Sequence, residues 1–270
     1  MYPFTLRFEK NHARFPFIVD GKPLTGSAVP SCVISGRAAG NMALTNIPAR
    51  ESFFRSLGIP PEQVYSLHQV HSRDVFTLGE AGKTALSAAD LPDPAAFVRD
   101  GDGLVSPFSP HRQGAPSPFL AVTVADCLPV FLFDTEKEFF AALHSGWKGT
   151  GIVLRALAIL KAWGTRPEAV AAVLGPCIQS CCYQVDEERA KAFEGEFGES
   201  AVVRRDGKVF LSLQAANARL LKAAGLRHIA CCKNCTFEDE RLGSFRREGP
   251  QSYTRMIAMT GYLATGCLAD

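Results

Sequence analysis

The sequence predicts a single α+β domain, and three observations carry that prediction. Two apolar runs, Leu120–Phe133 and Phe139–His144, are separated only by the charged segment Asp134–Glu138, the pattern of paired buried strands with a tight connection. Around them, several helix-length stretches begin at capping residues and stop at glycines. The 270 residues show no internal repeat and no low-complexity linker, so one domain over 1–270 is the simplest organisation.

Taken in order, the chain up to about Val33 reads as short strands, with turns at Asp20-Gly21 and Thr25-Gly26. Ser35–Leu44 is a loop of small residues carrying Arg37 and Asn41. Asn46 caps a helix over Pro48–Leu57, which Gly58 stops. The next segment, Gln63–Leu78, is a strand, a polar interruption at His71–Asp74, and a second strand. Two long loops follow, 79–103 and 107–118; the first ends in Asp100-Gly101 and Asp102-Gly103, both read as turns. Beyond the central strands, Ile152–Trp163 is apolar on nearly every side and predicts a helix buried all round, ended by Gly164. A short buried strand lies at Val170–Gly175. Asp186 caps a polar helix running to Phe197, Lys208–Leu213 is a strand, and Gln214–Ala224 is a helix closed by Gly225. Strands and loops complete the chain.

Composition narrows the function classes. With 47% hydrophobic and 21% charged residues and a net charge of +2, the chain is globular and has no basic stripe, so nucleic acid is not an expected partner. Charges throughout the first residues argue against a signal peptide, and Asp126 and Asp134 interrupt the longest apolar run, so no membrane association is expected. Nine cysteines, an odd number, fit a reducing compartment; the expected location is cytoplasmic. No protein partner is predicted.

Three residues stand out chemically: His71, Cys127 and His144, each near the end of an expected strand, where neighbouring strands can bring side chains together. Two imidazoles and a thiolate suit zinc, and three protein ligands leave a fourth position open, the pattern of a catalytic ion. Two other readings stand beside it. Cys127 can be the nucleophile of a hydrolase with His144 as its base, or a buried core thiol beside hydrogen-bonded histidines. Asp126, next to Cys127, is a candidate for orienting a ligand or handling protons. The loop Ser145–Gly151 links a strand to a helix N-terminus; Gly146 and Gly149 let backbone approach an anion and Lys148 adds charge, so phosphate is the natural ligand. Asn41, Arg246 and Arg247 are further candidates for anion or hydroxyl contacts. His68 should face away from His71, and His12, His111 and His228 are expected on surfaces or loops. Cys232 and Cys235 form a CxxC without a matching pair, and with Cys177, Cys181, Cys182 and Cys231 they read as buried thiols rather than a zinc knuckle.

The segments HQVHS, DGDGLVS, TVADCLPVFLFD, ALHSGWKGTGI, LGPCIQSCCYQV and SFRRE, in this order, resemble the YfiH-type laccase-domain family, also described as multifunctional purine nucleoside phosphorylases. The resemblance implies a layered α/β/β/α sandwich like that of the cytotoxic necrotising factor catalytic domain. It places metal ligands on His71, Cys127 and His144. It also implies phosphorolysis of adenosine, inosine and methylthioadenosine to free base and ribose 1-phosphate, with adenosine deamination. Lys148 stands where the family usually has Arg, and Thr254-Arg255 replaces the usual Gly-Arg. The family's older label, a copper-dependent polyphenol oxidase, fits poorly: a multicopper oxidase uses about ten His ligands plus a Cys, and this chain has six His. Zinc is the expected cofactor and a single copper ion the alternative. The remaining functional alternatives are a Cys–His hydrolase acting on peptidoglycan precursors and a non-enzymatic metal-binding protein.

Overall fold

A computed structural model describes residues 1–79, 93–108 and 118–263. Two large sheets stack face to face. The seven-stranded sheet runs β1 (Tyr2–Phe4), β17 (His228–Cys232), β13 (Val170–Leu174), β11 (Leu128–Asp134), β12 (Phe140–Ser145), β9 (Gly103–Ser106), β8 (Val75–Thr77). The six-stranded sheet runs β2 (Phe8–Glu9), β3 (His12–Phe15), β6 (Ser31–Ser35), β18 (Met256–Gly261), β10 (Phe119–Val124), β7 (Val64–Ser66). β11 pairs antiparallel with β12, setting Leu128 opposite Ser145 and Phe133 opposite Phe140, as the charged connection implied. A ribbon of β4 (Ile18–Val19) and β5 (Lys22–Pro23) and a small sheet of β14 (Gln184–Val185), β16 (Lys208–Leu211) and β15 (Val202–Arg205) flank them.

The two-residue period of the strands sorts the chain into layers. In β11, Phe131 and Phe133 face the other sheet, whereas Val130 and Leu132 face helices. In β18, Met256 and Ala258 point inward, and Ile257 and Met259 point outward. The inter-sheet layer is built on phenylalanines: Phe15 meets Phe131 at 5.9 Å between ring centroids, and Phe17 meets Phe133 at 5.4 Å. Such rings each remove a large apolar area from water. Helices α2 (Ile152–Ala162) and α4 (Leu213–Ala223) cover the outer face of the seven-stranded sheet, and α3 (Glu187–Phe197) packs on α4 and the small sheet beside them. Helix α1 (Ile47–Ser56) covers the outer face of the six-stranded one through Phe53 and Phe54. The result is the four-layer α/β/β/α sandwich that the resemblance implied.

Local signals account for two of the helix starts, whereas Asn46 precedes α1 without a side-chain capping hydrogen bond, its amide NH₂ donating instead to the Asn41 carbonyl at 2.8 Å. The Asp186 carboxylate accepts the Arg189 amide at 2.7 Å and the Ser212 hydroxyl accepts that of Ala215 at 3.1 Å, capping α3 and α4. Helix α2 departs from the expectation: Ile152, Val153, Ala156 and Leu160 are buried, but Leu154 is 43% exposed. It lies on the sheet with one face only, and its outward apolar residues remain in solvent. Most of the two expected long loops, together with His111 and Cys267, lies outside the described residues. Among the described residues, no helix is long and apolar enough to cross a membrane, and the eight described cysteines are free thiols.

Candidate metal centre and active site

The chain changes sheets at the site. β10 belongs to the six-stranded sheet and β11 to the seven-stranded one, so Ala125–Cys127 is the crossover between them. The sharp turn needs Asp126 at φ +92°, a costly region for a residue with a side chain. Surrounding contacts hold it there. The Asp126 carboxylate accepts the Thr236 hydroxyl at 2.6 Å and the Arg246 amide at 2.7 Å, and its carbonyl accepts the Ile178 amide at 3.0 Å. Asp126 thus ties two loops and the short helix Phe245–Glu248 together and aims Cys127 into the site.

Cys127, His71 and His144 meet there: one ligand atom from each lies within 4.8 Å of the others. The imidazole centroids of His71 and His144 are 4.9 Å apart, edge to face. His144 is the next-to-last residue of β12, but His71 sits in a loop rather than at a strand end, with φ +61°. That loop is shaped by Asp102. Its fully buried carboxylate accepts the amides of Val70, His71 and Ser72 at 3.3, 3.1 and 2.6 Å. It also accepts the Ser72 hydroxyl at 2.9 Å and faces His144 Nδ1 at 2.8 Å. A proton on Nδ1 satisfies that contact and leaves Nε2 as the donor atom for an ion.

The donor set fits a metal. Burial pushes the Cys127 thiol up, but the adjacent His144 and His71 outweigh it and bring the thiol down to about 6, so sulfur is available as thiolate. Burial pulls His144 down, yet Cys127 and Asp102 raise it to about 9. Hydrogen bonds and charge from His144, with those from Ser72, outweigh burial and lower the Asp102 carboxyl. Gly146 completes the cradle: a Cβ there would come within 2.9 Å of Cys127 Sγ and 3.2 Å of His71 Cδ2.

The site opens into a cavity of about 460 Å³, within the size range of small-molecule pockets. Trp147, Tyr183, Phe245 and Tyr253 supply aromatic surface, and Arg189, Arg246 and Arg255 supply positive charge. The other residues expected at an anion site fall elsewhere. Lys148 is exposed, with Nζ 5.6 Å from the Trp147 ring, and does not line the cavity. A Cβ on Gly149 would meet the Ser72 carbonyl at 2.8 Å, so this glycine permits close packing of the His71 loop. Arg247 is taken up by structure: its guanidinium donates to the carbonyls of Thr236 and Phe237 at 2.6 and 2.9 Å, and to those of Asp239 and Leu242 and the Glu248 carboxylate. Asn41 accepts the Arg255 amide at 3.2 Å, supporting a cavity residue from behind.

Sequence reasoning missed Asp102 by reading Asp-Gly pairs as turns. The glycines serve packing instead: a Cβ on Gly101 would meet Phe76 at 2.5 Å, and one on Gly103 would meet Leu143 at 2.8 Å. A carboxylate between two such constrained glycines was the available signal. His68 does point elsewhere, to Asp100 at 2.7 Å on the surface. His12 is half-buried on β3 beside Phe53, and His228 sits against Asp20, its Nδ1 3.6 Å from the carboxylate. Of the cysteines expected to be buried, Cys177 and the CxxC pair Cys232 and Cys235 are so, but Cys181, Cys182 and Cys231 are only partly buried. Cys181, Cys182, Cys235 and Glu238 form a second cluster.

Residues 41–262 match the protein family described as multi-copper polyphenol oxidoreductase laccase. A purine nucleoside phosphorylase of Corynebacterium glutamicum is 32% identical over 195 residues, 72% of each chain. One of Mycobacterium tuberculosis is 30% identical over 72% of this chain and 71% of its own. A protein named adenosine deaminase RL5, from an unknown prokaryotic organism, is 29% identical over 75% of this chain and 78% of its own. Among solved structures, YlmD from Geobacillus stearothermophilus superposes with a TM-score of 0.78 at 23% identity, covering 96% of this chain and 99% of that one. YfiH from Bacillus licheniformis gives 0.72 at 23% identity, covering 86% and 92%.

Proposed function

This chain belongs to the multi-copper polyphenol oxidoreductase laccase family, and from that membership and its site we propose a zinc-dependent purine nucleoside phosphorylase with adenosine deaminase activity. We place it in the cytoplasm, as one catalytic domain over residues 1–270. The observation that carries the reading is the convergence of His71, Cys127 and His144 on an open cavity lined by aromatic rings and arginines. The relatives named purine nucleoside phosphorylase and adenosine deaminase supply the substrate class. The six histidines of the chain are too few for a multicopper oxidase centre.

In this reading His71, Cys127 and His144 hold the ion, with copper as the alternative to zinc. A bound zinc supplies Lewis acidity toward a substrate atom. Asp102 fixes the His144 tautomer and shapes the His71 loop, so the donor atoms are set before substrate arrives. Tyr183, Phe245 and Tyr253 offer faces and edges for a purine. Arg189, Arg246 and Arg255 replace Lys148 and Arg247 as the groups that receive phosphate, which suits the guanidinium fork. In phosphorolysis a phosphate oxygen forms a bond to ribose C1′, the C1′–N9 bond breaks, and the base leaves with that electron pair and takes up a proton. Asp126 positions Cys127 and the Arg246 backbone rather than carrying a proton itself, because both of its oxygens are already engaged. The decisive assay incubates metal-replete protein with adenosine or inosine, with and without phosphate. Free base with ribose 1-phosphate, only when phosphate is present, is the expected product set. Folded Cys127→Ala or His144→Ala protein with full turnover would overturn the reading.

One observation favours a second reading. His144 lies between the Cys127 thiol and the buried Asp102 carboxylate, an order that also suits a Cys–His–Asp hydrolase. That reading leaves His71 without a role. It predicts activity that survives chelators and is abolished by iodoacetamide on Cys127.

A further inference from the structure

Three thiols that the nucleoside site does not use gather behind its wall. Cys181 and Cys182 lie in the loop after β13, and Cys235 in the loop after β17. The backbone holds these loops in register: Cys177 and Cys235 form a parallel bridge, and the Thr236 amide donates to the Cys177 carbonyl at 3.1 Å. Sulfur atoms of Cys181, Cys182 and Cys235 and a carboxylate oxygen of Glu238 all lie within 4.8 Å of one another.

We propose that Cys181, Cys182, Cys235 and Glu238 form a second, structural metal site that binds one zinc ion and locks the wall of the cavity. Four features support it. Three sulfurs and one oxygen make four donors, the number that closed structural zinc takes. Cys182 Sγ is 3.6 Å from Glu238 Oε1, and bonds to zinc of about 2.3 and 2.0 Å at the tetrahedral angle require about 3.5 Å. The Gln179 amide points at Cys235 Sγ from 3.4 Å, the outer contact that steadies a ligating sulfur. Cys235 is buried while Glu238 is exposed, so the ion can enter from solvent. Each ligating thiol releases its proton to solvent on binding, and no electron transfer is involved.

The loops joined in this way also build the catalytic cavity. Ile178 and Tyr183 from the first line it. Thr236 from the second holds the Asp126 carboxylate, and the Ile178 amide holds the Asp126 carbonyl. An ion at the second cluster therefore fixes the residues that aim Cys127. The inference rests on these contacts alone and stands whatever chemistry the first site performs.

The test is zinc content of the full chain, prepared with zinc and reductant and then dialysed against metal-free buffer. Wild type should retain about two ions per chain. Cys182→Ser and Cys235→Ser should each lose one, while His144→Ala loses the other. Glu238→Gln, a change on an exposed side chain, should fold normally and weaken the second ion by about tenfold or more. Cobalt titrated into Cys127→Ala protein should develop the near-ultraviolet thiolate-to-cobalt band, since the cluster is then the only group of three or more potential metal ligands among the described residues. The proposal is overturned if Cys127→Ala protein develops no such band, or if wild-type zinc is lost in full with His144→Ala. A disulfide among these three cysteines under the same reducing conditions overturns it too. A wild type with one ion, lost in Cys182→Ser and kept in His144→Ala, supports this site and rejects the first.

Discussion

Replacing Asp102 by Asn tests the logic of the site most sharply, because the substitution keeps the shape and removes only an acceptor. In the structure one carboxylate oxygen takes the His71 amide and His144 Nδ1, and the other takes the Val70 amide and both the amide and hydroxyl of Ser72. Asn has one oxygen and one NH₂, so either orientation turns a donor against at least two donors. A buried donor left unpaired costs about 1–3 kcal/mol, which gives a loss of about 2–6 kcal/mol, a large part of a typical domain's stability. If the NH₂ faces His144, the imidazole must move its proton to Nε2, and the ligand atom is lost. Comparable outer contacts to metal-bound histidines cost about 10–100-fold in affinity or activity. Urea unfolding gives the first quantity and a competition assay with a fluorescent zinc chelator gives the second. An Asp102→Asn protein that unfolds at the wild-type midpoint and holds zinc as tightly would refute the assignment of Asp102 as the organiser of both histidines.

Other expected outcomes follow from the same structure. Gly146→Ala should fold but lose metal at the first site, since its Cβ would press on Cys127 Sγ at 2.9 Å; metal content per chain reads this directly. Arg246→Ala and Arg255→Ala should each raise the KM for phosphate by about tenfold, the loss of one charge-assisted hydrogen bond, whereas Lys148→Ala should leave it unchanged; steady-state kinetics separates the two. Phe131→Ala removes a fully buried ring from the inter-sheet layer and should cost about 3–5 kcal/mol in urea unfolding. Burial pushes the Glu248 carboxyl up, but the amides of Thr254 and Ser244 and the Arg247 guanidinium outweigh it and hold it below its usual value. A carboxyl lowered in the folded state adds stability above its unfolded value of about 4.3 and loses it as pH falls through the folded value. Wild type should therefore lose more stability than Glu248→Gln between pH 7 and pH 3, and equal losses would refute this.

Much of the fold could be read from the chain because its signals are local. Asp186 and Ser212 sit at helix starts, Gly164, Gly198 and Gly225 just past helix ends, and β11 and β12 are short apolar runs with nothing but a charged turn between them. What local patterns do not show is which sheet a strand joins. β10 and β11 are separated by three residues and read as one run, yet they belong to different sheets; only the positive φ at Asp126 separates them. The site shows the same division. Cys127 and His144 stand out as polar residues in apolar runs, and His71 as one in a polar interruption. Arginine roles could not be read in this way, because Arg246 and Arg247 are neighbours of one chemistry. Their difference lies in where they end: Arg247 turns into the backbone of the 236–242 loop, and Arg246 faces the cavity. Asp102 was hidden for a related reason, since a buried acceptor of five donors and a surface turn share the same dipeptide.

The strand switch at Ala125–Cys127 has a thermodynamic corollary. Because this short span is the seam at which one sheet hands the chain to the other, whatever grips Cys127 clasps both halves of the sandwich together. Prying the sheets apart then requires letting go of that occupant, so its binding energy is added to the opening of the whole molecule rather than to the fraying of one loop. Saturating the thiol should accordingly slow exchange of the most protected amides in β11 and β18 alike, in proportion to the ligand's own affinity.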